Sequence, residues 1–138
     1  MKSKGKLDAV VSVSLVDHQE SYTDNPPQIR DKRICAVLKA MENDVRRSWT
    51  TQECARLVNL SSSHLRKTFK DELRRTPRQH LKKLRLRTAF TLLTTEFLSV
   101  KEVMHRVGIN NHSHFVKDFK KAYGTVPSRI ELLVEISN

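Results

Sequence analysis

An all-α fold is predicted: two three-helix helix-turn-helix lobes joined by a long connecting helix, about seven helices in all, behind a short N-terminal arm. Three features of the 138-residue sequence predict it. The first is an internal repeat. Ser63 to Lys70 reads SHLRKTFK and Ser113 to Lys120 reads SHFVKDFK, fifty residues apart, and Pro77 and Pro127 hold the same offset. A repeat at this period implies one structural unit built twice. The second feature is the spacing inside each copy. Leu65, Phe69 and Leu73, and then Phe115, Phe119 and Tyr123, recur every four residues, which lines one face of a helix. The third is a helix-start signal ahead of each copy, Thr50 with Glu53 and Ser99 with Glu102. In this S/T-x-x-E pattern the hydroxyl and the carboxylate satisfy each other's orphan backbone amides.

Taken in order, residues 1–30 read as an arm or linker. Lys2, Lys4 and Lys6 precede Leu7 to Val16, a run too short and too interrupted by Asp8, Ser12 and Ser14 for a signal peptide. No stretch approaches the roughly 18 apolar residues that span a bilayer. Val11, Val13 and Leu15 alternate like a short strand, and Asp17 to Arg30, with Pro26 and Pro27, is a polar linker. A flexible or loosely docked arm and an oligomerisation or partner-binding segment are both open readings of it.

The folded region is expected over residues 31–136. A helix from Asp31 carries Ile34, Val37, Leu38, Met41 and Val45 on one side and covers the first unit, about residues 50–73. Trp49, just ahead of Thr50, fills that lobe's core or staples the helix start. Thr51 to Val58 and Val100 to Val107 form short helices. Each is followed by Asn59 or Gly108, residue types that tolerate the left-handed conformation ending a helix. A short capped helix, a tight turn and a basic amphipathic helix make a helix-turn-helix, whose second helix enters the DNA major groove. The second unit, about residues 99–123, has one extra residue between turn and recognition helix.

Between the units, Pro77 suits a first helical turn, where no amide donor is needed. Residues 78–95 contain no glycine or proline and offer Leu81, Leu84, Ala89, Leu92 and Leu93 for burial. Eighteen helical residues span about 27 Å. Successive major-groove segments on one face of B-DNA lie about 34 Å apart, so a rod of this order would present both recognition helices to adjacent grooves. One polypeptide would then read a long, non-palindromic site as a monomer, with a dimer left open.

These residues carry a family resemblance. Residues 31–130 resemble the DNA-binding domain of the AraC/XylS family of bacterial transcription regulators. The match runs through Ala55, the turn at Leu60 and Ser61, Leu65 and Phe69-Lys70. In the connecting helix it continues through Arg85-Leu86, Ala89 and Leu92-Leu93, and in the second unit through Gly108, Ser113, Phe115, Phe119-Lys120, Gly124 and Pro127. Asn59 and Arg74 stand where the family has glycines, and Ile109, His80 and Ile130 where it has aromatics. The resemblance implies a cytoplasmic, nucleoid-associated bacterial protein whose partner is double-stranded promoter DNA. It also implies activation, with RNA polymerase as a further partner.

The helical wheel turns Ser63, Arg66, Lys67 and Lys70 outward in the first unit, with Ser62 and His64 beside them. Arg66 is the leading base-contact candidate, since a guanidinium pairs bidentately with guanine. In the second unit the corresponding region holds Asn111, His112, Ser113, His114, Val116, Lys117 and Lys120. Val116 suits a thymine methyl but makes no bidentate contact, so the second lobe is expected to discriminate bases less sharply. Along the connector, Arg74, Arg75, Arg78, Lys82, Lys83, Arg85 and Arg87 add charge, some of it expected toward phosphates.

Composition agrees with a polyanionic partner: the formal net charge is +11 and the pI about 10.1. Charge alone also fits a second reading, a basic helical module that meets an acidic protein. No phosphate-cradling loop is legible among three glycines, and no nucleophile-base pair or metal-ligand spacing, so neither an enzyme nor a cofactor is expected. Cys35 and Cys54 fall among apolar neighbours in predicted helices and lack disulfide-framework spacing.

Overall fold

The computed structural model describes residues 28–137, so most of the expected arm lies outside the described residues. The helices are α1 (Lys32–Asn43), α2 (Thr51–Leu57), α3 (Ser62–Leu73), α4 (Pro77–Thr95), α5 (Val100–Val107), α6 (His112–Tyr123) and α7 (Pro127–Ile136). No strand occurs among the described residues. They form two compact units that divide within α4, between Arg85 and Leu86.

In the first unit, α1 starts where Asp31 places a carboxylate oxygen 2.9 Å from the Arg33 N–H, satisfying one of the donors a helix start leaves orphaned. The Arg33 guanidinium donates to the same carboxylate at 2.8 Å and holds its pKa down to about 2. The Asp31 N–H donates in turn to Glu72 at 3.0 Å, tying α1 to the end of α3. Ile34, Val37, Met41, Cys54, Leu65 and Phe69 are fully buried, and Leu81 and Leu84 of α4 close the same core. Burying each large aliphatic or aromatic side chain contributes about 1.5–3 kcal/mol.

α1 ends at Asn43, short of Val45, which the apolar spacing had placed on the helix. The segment that follows is held by a side chain forty residues away. The Arg85 guanidinium donates to the carbonyl oxygens of Val45, Arg46 and Arg47 at 2.9, 3.2 and 3.0 Å, tying the loop after α1 to α4. Val45 still packs on the core, from a loop. Trp49 packs there as well, and its indole N–H donates to the Asp44 carbonyl at 2.8 Å.

The second unit buries Val103, Val107, Phe115, Phe119, Ile130 and Val134 around Leu86, Ala89 and Leu93 of α4. Phe90 stacks on Tyr123 with ring centroids 4.6 Å apart, and Phe115 meets Phe119 edge-on at 5.6 Å. α4 is thus one helix with two clients: its first half packs in one core and its second half in the other. Its start is fixed more firmly than the proline alone requires. Thr76 and Gln79 form a reciprocal cap, the Thr76 N–H donating to Gln79 at 2.9 Å and the Gln79 N–H to the Thr76 hydroxyl at 3.2 Å.

Candidate nucleic-acid interface

Each helix-turn-helix is assembled by local chemistry that the two units share. Thr50 and Ser99 make reciprocal caps with Glu53 and Glu102 at the starts of α2 and α5. Asn59 and Gly108 then adopt left-handed backbone, with φ of 57° and 77°. The chain reverses there, and the amides of Leu60 and Ile109 donate back to the carbonyls of Ala55 and Met104, both at 2.9 Å. The extra residue of the second unit is Asn110, in the stretch between this turn and the cap of α6.

The recognition helices are capped alike. The Ser61 hydroxyl accepts from the His64 N–H at 3.1 Å, and the Asn111 side-chain carbonyl from the His114 N–H at 3.0 Å. Ser61 is therefore a cap that the sequence alone did not single out. Asn111, counted above among the DNA-facing residues, gives its oxygen to this cap and keeps its amide donors. At their far ends both helices close on a left-handed residue, Arg74 or Gly124, whose N–H donates to the carbonyl of Lys70 or Lys120 at 2.7 Å.

With both ends fixed, the faces sort as follows. Leu65, Phe69 and Leu73 point into the first core, and Phe115 and Phe119 into the second, with Tyr123 half-buried. On the other side of α3, Ser63, His64, Arg66, Lys67 and Lys70 are exposed, while Ser62 is half-buried. On α6, His112, Ser113, His114, Lys117 and Lys120 are exposed, as is Asn111 ahead of it, and Val116 is half-buried. Each helix thus shows solvent a patch of small polar, imidazole and cationic groups, a composition suited to phosphate oxygens and base edges.

Two of the departures from the family pattern are absorbed by packing. His80 and Ile130 are both buried, and the His80 ring meets Phe69 edge-on at 5.7 Å. Of the connector cations, Arg85 is turned to the carbonyls described above, away from the role of phosphate contact. That could not be read from its neighbours in sequence, because its partners lie 38 to 40 residues away.

Comparison with known proteins accords with this geometry. A family model described as a helix-turn-helix domain matches residues 54–131. The RCS-specific helix-turn-helix-type transcriptional activator RclR of Escherichia coli is 30% identical over 95 residues, covering 69% of this chain and 34% of that protein. The chain spans about a third of the length of the curated relatives it matches. An AraC-type regulator from Chromobacterium violaceum superposes with a TM-score of 0.69 at 21% identity, over 75% of this chain and 92% of the other. The DNA-binding domain of AdpA, solved with a target DNA, does so with a TM-score of 0.69 at 20% identity, over 75% and 94%. These two structures share the fold. The duplicated unit, the helix between its copies and the family match together place the chain in the AraC-type helix-turn-helix family of transcription regulators.

Proposed function

We propose that this chain binds double-stranded DNA in a sequence-specific manner to regulate transcription, most directly as an activator, with α3 and α6 entering successive major grooves. The observation that carries the reading is the duplication of an exposed polar and cationic helix face, each copy capped and backed by its own core. The 19 residues of α4 give an axial rise of about 28 Å, of the order of the 34 Å groove repeat. Relatives named as activators, and a neighbour of the same fold solved on its target DNA, support the same assignment. In it Arg66 contacts a guanine, with Lys67 and Lys70 on phosphates. Lys117 and Lys120 do the same work in the second half-site, and RNA polymerase is the protein partner at the promoter.

Selection of bound duplexes from a random pool, followed by salt titration on the winning and scrambled sequences, tests the reading. Affinity for both should fall steeply with salt through counterion release, while a large preference for the selected sequence persists. Arg66→Ala should cost about 1–3 kcal/mol on the selected site and much less on scrambled DNA. Failure to enrich any sequence would reject specific recognition and leave the acidic-partner reading.

A further inference from the structure

The repeat extends beyond the helix-turn-helix units, and this gives α7 an internal reference. At the fifty-residue offset α7 corresponds to the first half of α4. Pro77 and Pro127, His80 and Ile130, and Leu84 and Val134 are buried in both helices. The inward faces therefore match at these three places, with half-buried Glu131 at the place of buried Leu81. The outward faces do not. Where α4 carries the exposed Lys82 and Lys83, α7 carries Leu132 and Leu133, 54% and 38% exposed. Where Leu86 is buried in the second core, its counterpart Ile136 is 62% exposed. The fold accepts lysine at these places, so packing within the chain does not call for the leucines. Exposing several apolar groups side by side costs solubility unless something covers them.

The surrounding charges suit one kind of cover. A groove on this side of α7 is lined by Ser128, Arg129, Glu131, Leu132 and Glu135. Arg129 and Glu135 are exposed, opposite in sign, and each three residues from Leu132. In a two-fold antiparallel helix pair centred on one residue, positions equally far before and after it face each other. We propose that two copies of this chain associate through α7, antiparallel about a two-fold axis at Leu132. Leu132 then packs on its own counterpart, each Arg129 faces the partner's Glu135, and the small Ser128 lies opposite the partner's Ile136. Positions 129, 132 and 136 follow a three-four spacing and share one helix face. A ten-residue helix buries far less than the roughly 1,200–2,000 Å² of a standard stable interface. The association is therefore weak in free solution and takes effect when two copies are held close together, as on neighbouring binding sites.

Sedimentation equilibrium of the 138-residue chain, from micromolar to millimolar concentration and without DNA, tests this separately from the DNA reading. Wild-type protein should show a reversible monomer–dimer equilibrium. Leu132→Lys, which supplies the residue type found at the α4 counterpart, should weaken it at least tenfold with the circular dichroism spectrum and thermal midpoint retained. Arg129→Glu and Glu135→Arg should each weaken it as well, and the double exchange Arg129→Glu/Glu135→Arg should restore it to within threefold of wild type. A wild type that stays monomeric into the millimolar range overturns the proposal, and the face then belongs to another partner or to residues 1–27. A dimer indifferent to these variants, or a double exchange no better than the single ones, overturns it equally.

Discussion

Arg74 and Gly124 occupy one backbone position in two copies of the same fold, with φ of 57° and 75° and the same 2.7 Å bond to the preceding turn. A residue with a Cβ pays about 1–2 kcal/mol for this conformation, and glycine gives back part of that through its more disordered unfolded state. Arg74→Gly should therefore raise stability by up to about 1 kcal/mol, read as a shift in denaturant midpoint at unchanged slope, and Gly124→Arg should lower it. The cysteines offer a second single-residue test. Cys54 is fully buried, and burial pushes its thiol up to about 11, whereas Cys35 is half-buried. Since the thiolate is the reactive form, native protein near neutral pH should alkylate at Cys35 well before Cys54. Mass spectrometry of the labelled peptides would show the order, and equal rates would refute the burial argument. At this scale the outward and inward residues were legible, because helical spacing alone separates Arg66 from Phe69. Asn111's cap and Ser61's were not, since Ser, Asn and their neighbours look alike until the first amide of the helix is located.

Among the elements, the starts of α2 and α5 and the turns that follow them were written locally, in residues a few positions apart. Thr76 and Gln79 obey the same rule and were overlooked behind the more conspicuous Pro77. What local pattern could not give is the loop after α1, which Arg85 clamps from α4. Hydrogen bonds from a charged donor contribute about 1.5–3 kcal/mol when their acceptors are shielded, so Arg85→Ala should destabilise the protein by about 2 kcal/mol. Arg85→Lys should recover only part, because an ammonium lacks the planar fork that reaches several carbonyls at once. Chemical denaturation would give both values. Amide exchange at residues 44–49 should rise in each variant before that of α6, and a uniform rise across the chain would count against the clamp.

For the molecule as a whole, the duplication, the connecting helix and the excess of positive charge were all visible in the sequence, and with them the family. The two lobes were visible as well, but the place within α4 where one core gives way to the other was not, because periodicity says which residues are buried and is silent on which others they meet. Separate cores predict separable damage. Phe119→Ala should cost about 3–5 kcal/mol, and its effect on hydrogen exchange should concentrate in residues 86–137 and spare α1 to α3. Equal acceleration in both units would mean that they melt as one. α4 is where the two meet in sequence, and its shared use has a further outcome. Should the core around Phe119 open, the helix beyond Arg85 loses its packing. The nine residues from Pro77 to Arg85 are fewer than the roughly 12–15 that an isolated helix needs to persist in water, so the intact lobe alone must keep them wound. On the proposed reading, in which α4 spaces the two recognition helices, loss of the second core would therefore loosen the spacer together with the reader it carries.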